Sequence, residues 1–259
     1  MAYGGDEAGG EGQWAPVGPV RVRARRRSLR LGAISGIEIS LHWTWLIIAT
    51  LITSSVAMLW LPVVQPAWDG ALRWPVAIVC ALLFFGSLLL HELAHALMAQ
   101  RRGIPVLGIT LFLFGGVSKL GAEPARARDE FWIAVVGPLA SFGLMVVFAG
   151  AFLAADVLAV ETAATVALYL TLVNFMVGAF NLLPGYPLDG GRILRSAIWG
   201  ARRNFRSATR VAGGIGRGVA AGLMALGVWL VLDGAIGGLW MALLGMFLWT
   251  AGGAQMRQA

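Results

Sequence analysis

Long uncharged apolar runs, separated by short polar connections, constrain this chain more than any other feature of its sequence. A hydrocarbon layer offers no water to backbone N–H and C=O groups, so such runs read as helices that satisfy their own hydrogen bonds while crossing a bilayer. Six runs are recognisable, at residues 43–63, 74–98, 132–154, 162–183, 211–232 and 234–250. Each is close to the length of about 17 to 25 residues that a spanning helix needs. Only 13% of the residues are charged and the mean hydropathy is +0.77, which excludes an ordinary soluble domain. The expected fold class is therefore an all-α membrane protein, a bundle of about six transmembrane helices.

The arginines orient this bundle, because cationic residues flanking short loops stay on the cytoplasmic side. Arg21, Arg23, Arg25, Arg26, Arg27 and Arg30 precede the first run, Arg101 and Arg102 follow the second, and Lys119, Arg126 and Arg128 precede the third. Arg192, Arg195, Arg202, Arg203 and Arg206 follow the fourth. Placed on one side, these residues make both termini cytoplasmic. The formal charge of +7 is then a matter of topology and anionic lipid, and no nucleic-acid partner is expected. Residues 1–31, rich in Gly and charge and lacking a hydrophobic period, are expected to be a disordered cytoplasmic tail, with residues 32–259 as one polytopic domain. The single cysteine, Cys80, permits no intrachain disulfide and reads as a packing residue.

Chemistry enters with His91-Glu92-Leu93-Ala94-His95 at the end of the second run. Residues four apart share a helix face, so His91 and His95 can chelate one zinc ion, with Glu92 beside the open coordination position. Glu92 would take a proton from the attacking water and return it to the leaving amine. Three ionisable residues within five positions of a membrane helix are costly and mark function.

A catalytic zinc site takes a third protein ligand. His42, the remaining histidine, sits beside Trp43 in what reads as an interfacial belt. Glu123, Asp129 and Glu130 fall in a charged connection and are expected to be solvated. Asp189 differs. It ends the segment Asn181-Leu-Leu-Pro-Gly-Tyr-Pro-Leu-Asp189, whose prolines break the helix at the membrane face that carries His91 and His95. The broken end can bring a carboxylate to the metal. Asn174, two turns before Asn181, is expected to make a polar contact between helices.

Together the two motifs resemble those of the site-2 protease family of intramembrane zinc metalloproteases, whose pattern is HExxH on one membrane helix and Asn-x-x-Pro-x-x-Pro-x-Asp-Gly on a later one. The resemblance extends less specifically over residues 35–206, including Gly137-Pro138. It implies His91, His95 and Asp189 as zinc ligands, Glu92 as the catalytic acid-base, and Asn181 as a donor to the developing oxyanion. It further implies a short re-entrant β element between helices 2 and 3, here residues 106–120, in which Phe114, Gly115 and Gly116 would bind substrate along a strand edge. The implied activity is hydrolysis of peptide bonds in membrane-embedded, single-span substrates such as anti-sigma factors or other membrane-tethered regulators, in a multi-pass protein of the cell membrane. Neither a PDZ domain between the motifs nor cystathionine-β-synthase domains after the last run are expected. The competing function is a zinc-binding scaffold or sensor without hydrolysis, against which Glu92 argues, since a structural zinc site has no use for an acid-base group at an open position.

Overall fold

A computed structural model of the protein describes residues 28–113, 115–235 and 237–258. The expected tail lies largely outside them. Its last four positions, Ser28 to Leu31, are already in a strand, so ordered chain begins before the boundary expected at residue 32.

Two strands, β1 (Ser28–Ile34) and β2 (Ile37–His42), open the chain and pair antiparallel. The next helical segment spans Trp45–Val64, as α1 (Trp45–Ser55), a π-helical turn (Val56–Trp60) and α2 (Leu61–Val64). Helix α3 (Gly70–Arg101) starts where the Asp69 carboxylate caps the amide of Leu72 at 3.1 Å, and it carries the HELAH motif in its last three turns. Strands β3 (Val106–Phe112) and β4 (Gly115–Leu120) follow as an antiparallel hairpin, then α4 (Ala127–Val157) and α5 (Glu161–Asn181). Helix α6 (Asp189–Arg202) is short and amphipathic, and α7 (Phe205–Leu232) and α8 (Gly237–Gln258) close the bundle.

Among the described residues, five segments are long and apolar enough to cross a membrane: Trp45–Val64, Gly70–Arg101, Ala127–Val157, Glu161–Asn181 and Phe205–Leu232. The sixth expected run is also helical, in α8, where the apolar stretch Gly237–Gly253 among the described residues is shorter than the other five. Lipid exposure accounts for the outward-facing Leu46, Val63, Val146, Val147 and Leu232, which a water-soluble bundle would bury.

The all-α expectation is corrected by a four-stranded sheet of order β1-β2-β3-β4. Its β3–β4 half occupies the place expected for a β element. The N-terminal half was not expected. Ile37, Ile39 and Leu41 alternate with Glu38, Ser40 and His42, and this period of two buries Ile37 and Ile39, Ile37 in a cluster with Leu93, Ala96 and Ile109. Strand β2 runs parallel to β3, Ser40 facing Thr110, so the helices between them form the crossover such pairing requires. The sheet thereby rests on the HELAH end of α3 and leaves β4 as a terminal strand beside it.

Candidate metal centre

His91 and His95 stand on one face of α3, and both are almost fully buried. The chain delivers Asp189 to them by breaking α5 at Asn181 and turning through Pro184 and Pro187 into the first residue of α6. The turn is close-packed: a Cβ on Gly191 would lie 2.3 Å from the Gly185 carbonyl carbon. Asp189 Oδ2 is 3.2 Å from His91 Nε2 and 3.1 Å from His95 Nε2, and the two Nε2 atoms are 3.2 Å apart. All the ligand atoms lie within 4.8 Å of one another.

This triangle fits a metal ion. Zinc bonds of about 2.0 to 2.1 Å in a tetrahedral field put neighbouring donor atoms about 3.3 Å apart. The outer ring nitrogens are held as ligating histidines require: His95 Nδ1 donates to the Ile133 carbonyl at 2.6 Å, and His91 Nδ1 is 2.9 Å from Ser141 Oγ. With its proton on Nδ1, His95 turns a lone pair toward the Asp189 oxygen, and two acceptors at that distance need a cation between them.

Helix α4 closes the site from one side at Gly137, where a Cβ would be 2.1 Å from His95 Nε2 and 2.8 Å from His91 Nε2. Any larger residue would occupy the ligand atoms' space. On the other side stands β4. Ser118 Oγ donates to Glu92 Oε2 at 2.8 Å, and a Cβ on Gly116 would meet Glu92 Cγ at 2.3 Å. A cavity of about 420 Å³ opens over the cluster, lined by Glu92, Ser118, Asn181, Tyr186 and Arg192 and capped by Phe247 and Leu248 of α8.

Of the residues singled out from sequence, His91, Glu92, His95, Asn181, Asp189 and Gly116 therefore share one cavity. Gly115 lies at the start of β4, nearest to Leu88, and Phe114 lies outside the described residues. His42 is elsewhere, at the end of β2, with Nδ1 2.8 Å from Thr44 Oγ1. Asn174 makes its helix contact, donating to Ser87 Oγ at 3.2 Å, and Cys80 is buried in the core. The sequence alone singles out neither Ser118 nor Ser141, and it offers Gly137 only as part of Gly137-Pro138, without a role. One expectation is corrected. Glu130 is completely buried rather than solvated, since the Arg195 guanidinium donates to it from α6 and stacks on the rings of Tyr186 and Phe205.

The model of peptidase family M50 matches residues 79–157 and 153–225, more than half of the chain and both motif segments. The chain belongs to peptidase family M50. This M50 chain is 40% identical over 230 residues to Rip3 of Mycobacterium tuberculosis, with 87% of the chain and 58% of Rip3 covered. It is 32% identical over 212 residues to the zinc metalloprotease MJ0392 of Methanocaldococcus jannaschii, covering 79% of the chain and 57% of the relative. It spans about three fifths of the length of the curated relatives it matches. Among solved structures it is similar to the site-2 protease from Methanocaldococcus jannaschii, with a TM-score of 0.57 and 28% identity over 88% of this chain and 95% of that one. Like that protein it has the fold of a multi-pass membrane protein, in which His91, His95 and Asp189 can hold a metal ion.

Proposed function

We propose that this M50 protein is an intramembrane zinc metalloprotease that hydrolyses peptide bonds of membrane-embedded substrates. The observation that carries the reading is the convergence of two imidazoles and a carboxylate within 3.2 Å, with a second carboxylate, that of Glu92, held over the same cavity by Ser118.

His91, His95 and Asp189 would hold zinc, which supplies a Lewis acid able to polarise the scissile carbonyl and to acidify water. Glu92 receives the proton of the attacking water and passes it to the leaving amine; its hydrogen bond from Ser118 fixes one carboxylate oxygen and leaves the other for this transfer. Asn181 offers a donor to the oxyanion. Its Nδ2 carries two hydrogens, and one is spent on the Val177 carbonyl at 3.0 Å. Strand β4, with Gly116 against Glu92, is the edge on which an unwound substrate would pair, so that its backbone groups stay satisfied while one peptide bond is exposed. Phe114 and Gly115 belong to the same proposed surface.

The remaining details follow this reading. The hairpin 106–120 is re-entrant, α8 makes a sixth crossing with local thinning of the bilayer, and the arginine-rich side, with both termini, faces the cytoplasm. The substrates are single-span membrane proteins, of which anti-sigma factors and other membrane-tethered regulators are the class that cytoplasmic release would serve.

The test is Glu92→Gln. The variant should keep one zinc per chain by elemental analysis and lose at least about 100-fold in cleavage of a reconstituted single-span substrate. His91→Ala, His95→Ala and Asp189→Ala should lose both metal and activity. Equal turnover in Glu92→Gln would remove the hydrolase assignment and leave the scaffold reading.

A further inference from the structure

Among the described residues, Arg192 is the one arginine or lysine on the wall of the cavity over the metal centre. It sits one helical turn beyond Asp189 on α6, on the same face, half-buried. Its neighbour Arg195 is paired with Glu130 and, at 3.5 Å, with Glu123, and is enclosed by two aromatic rings. The Arg192 guanidinium, by contrast, makes no hydrogen bond or ion pair among the described residues. This guanidinium carries five N–H donors and contributes to the wall of a cavity otherwise lined by apolar groups, Ser118, Asn181, Tyr186 and the metal-centre residues.

The charges of the cavity point to the ligand class. Among the side chains that line the cavity, Glu92 and Asp189 contribute two negative charges that a divalent ion would balance, and Arg192 has no carboxylate of its own on that wall. Partial burial makes that surplus expensive unless an anion meets it, and a planar guanidinium is best met by a carboxylate in a forked pair. We infer that Arg192 forms a carboxylate-binding subsite in the active cavity and so sets which substrates or products are held there. The inference rests on the proteolytic reading for its biological use, but its binding chemistry can be measured without turnover.

The carboxylate has two sources: an acidic side chain of the substrate near the scissile bond, or the terminal carboxylate of a released product. The probes are peptides with a non-hydrolysable methyleneamine in place of the scissile amide, bound to the zinc-loaded full-length protein in detergent micelles. One set carries Asp, Asn or Lys at each position flanking the isostere; the other ends in a free carboxylate or in an amide. Wild-type protein should bind the Asp peptide, or the free-acid peptide, roughly 10- to 100-fold more tightly than its neutral counterpart, the span of a charge-assisted hydrogen bond in a partly buried site. Arg192→Gln should abolish the difference, Arg192→Glu should turn it toward the Lys peptide, and Arg192→Lys should restore part of it.

Which set responds identifies the source. Zinc content and thermal stability equal to wild type in Arg192→Gln exclude an effect through Asp189. Equal affinities for acidic and neutral peptides in the wild type, or discrimination that survives in Arg192→Gln, would overturn the subsite. Discrimination without any turnover of a cleavable peptide would instead retain the subsite and remove the proteolytic reading.

Discussion

Ser118 on β4 and Glu92 on α3 are joined by a hydrogen bond of 2.8 Å from the hydroxyl to the carboxylate, and Ser118 also reaches the Glu92 backbone carbonyl at 3.3 Å. The sheet is thus fastened to the helix at the residue proposed to move protons. Ser118→Ala should lower kcat about 10-fold, the worth of a lost hydrogen bond to a charged group, while zinc content stays at wild type. Unchanged kcat with a substrate that saturates the protein would show that Glu92 needs no such support.

Gly137 and Gly143 on α4 form a matched pair for testing the close approach to the metal centre. Gly137→Ala places a carbon 2.1 Å from His95 Nε2, whereas a Cβ at Gly143 meets nothing within 4 Å. The first variant should lose zinc and activity together and the second should keep both. Retention of stoichiometric zinc by Gly137→Ala would mean that α4 can shift without cost to the site.

The hydroxyl of Ser141 stands 2.9 Å from His91 Nδ1 and orients the ring for the metal. Removing such a partner weakens metal affinity by about 10- to 100-fold. Ser141→Ala should show this as earlier loss of zinc to a competing chelator, with turnover per bound zinc less affected than the affinity.

Arg195 and Glu130 tie α6, and with it Asp189, to α4 in surroundings closed to water. Removing one partner of such a pair strands the other charge at a cost of about 3 to 5 kcal/mol. Glu130→Ala and Arg195→Ala should both unfold at distinctly lower temperature in detergent. The double variant Glu130→Gln with Arg195→Met should recover much of the loss, since no lone buried charge remains. A single variant with wild-type melting would show that water reaches the pair.

The chemistry was legible in the sequence because a membrane helix carries so few polar residues that His91, Glu92 and His95 have little reason to be there other than function. Asp189 was legible for a related reason, since Pro184 and Pro187 announce a broken helix at the right face. The β1–β2 hairpin was overlooked although Ile37, Ile39 and Leu41 alternate, because β2 is completed by β3, with Ser40 opposite Thr110, and no local pattern reports a partner so distant. Glu130 was misjudged on the same ground. Its partner Arg195 is 65 residues away, and from either position alone a charged connection reads as solvated. The importance of Ser118, Ser141 and Gly137 likewise depends on what faces them.

The third ligand has one more consequence. Asp189 follows His91 by 98 residues and His95 by 94, with two long apolar helices in between. A chain emerging from the ribosome therefore carries its paired imidazoles into the bilayer well before it owns the carboxylate that completes the set. The three-residue cluster therefore cannot assemble until most of the bundle has been laid down, so the order of synthesis itself sets when metal can be captured.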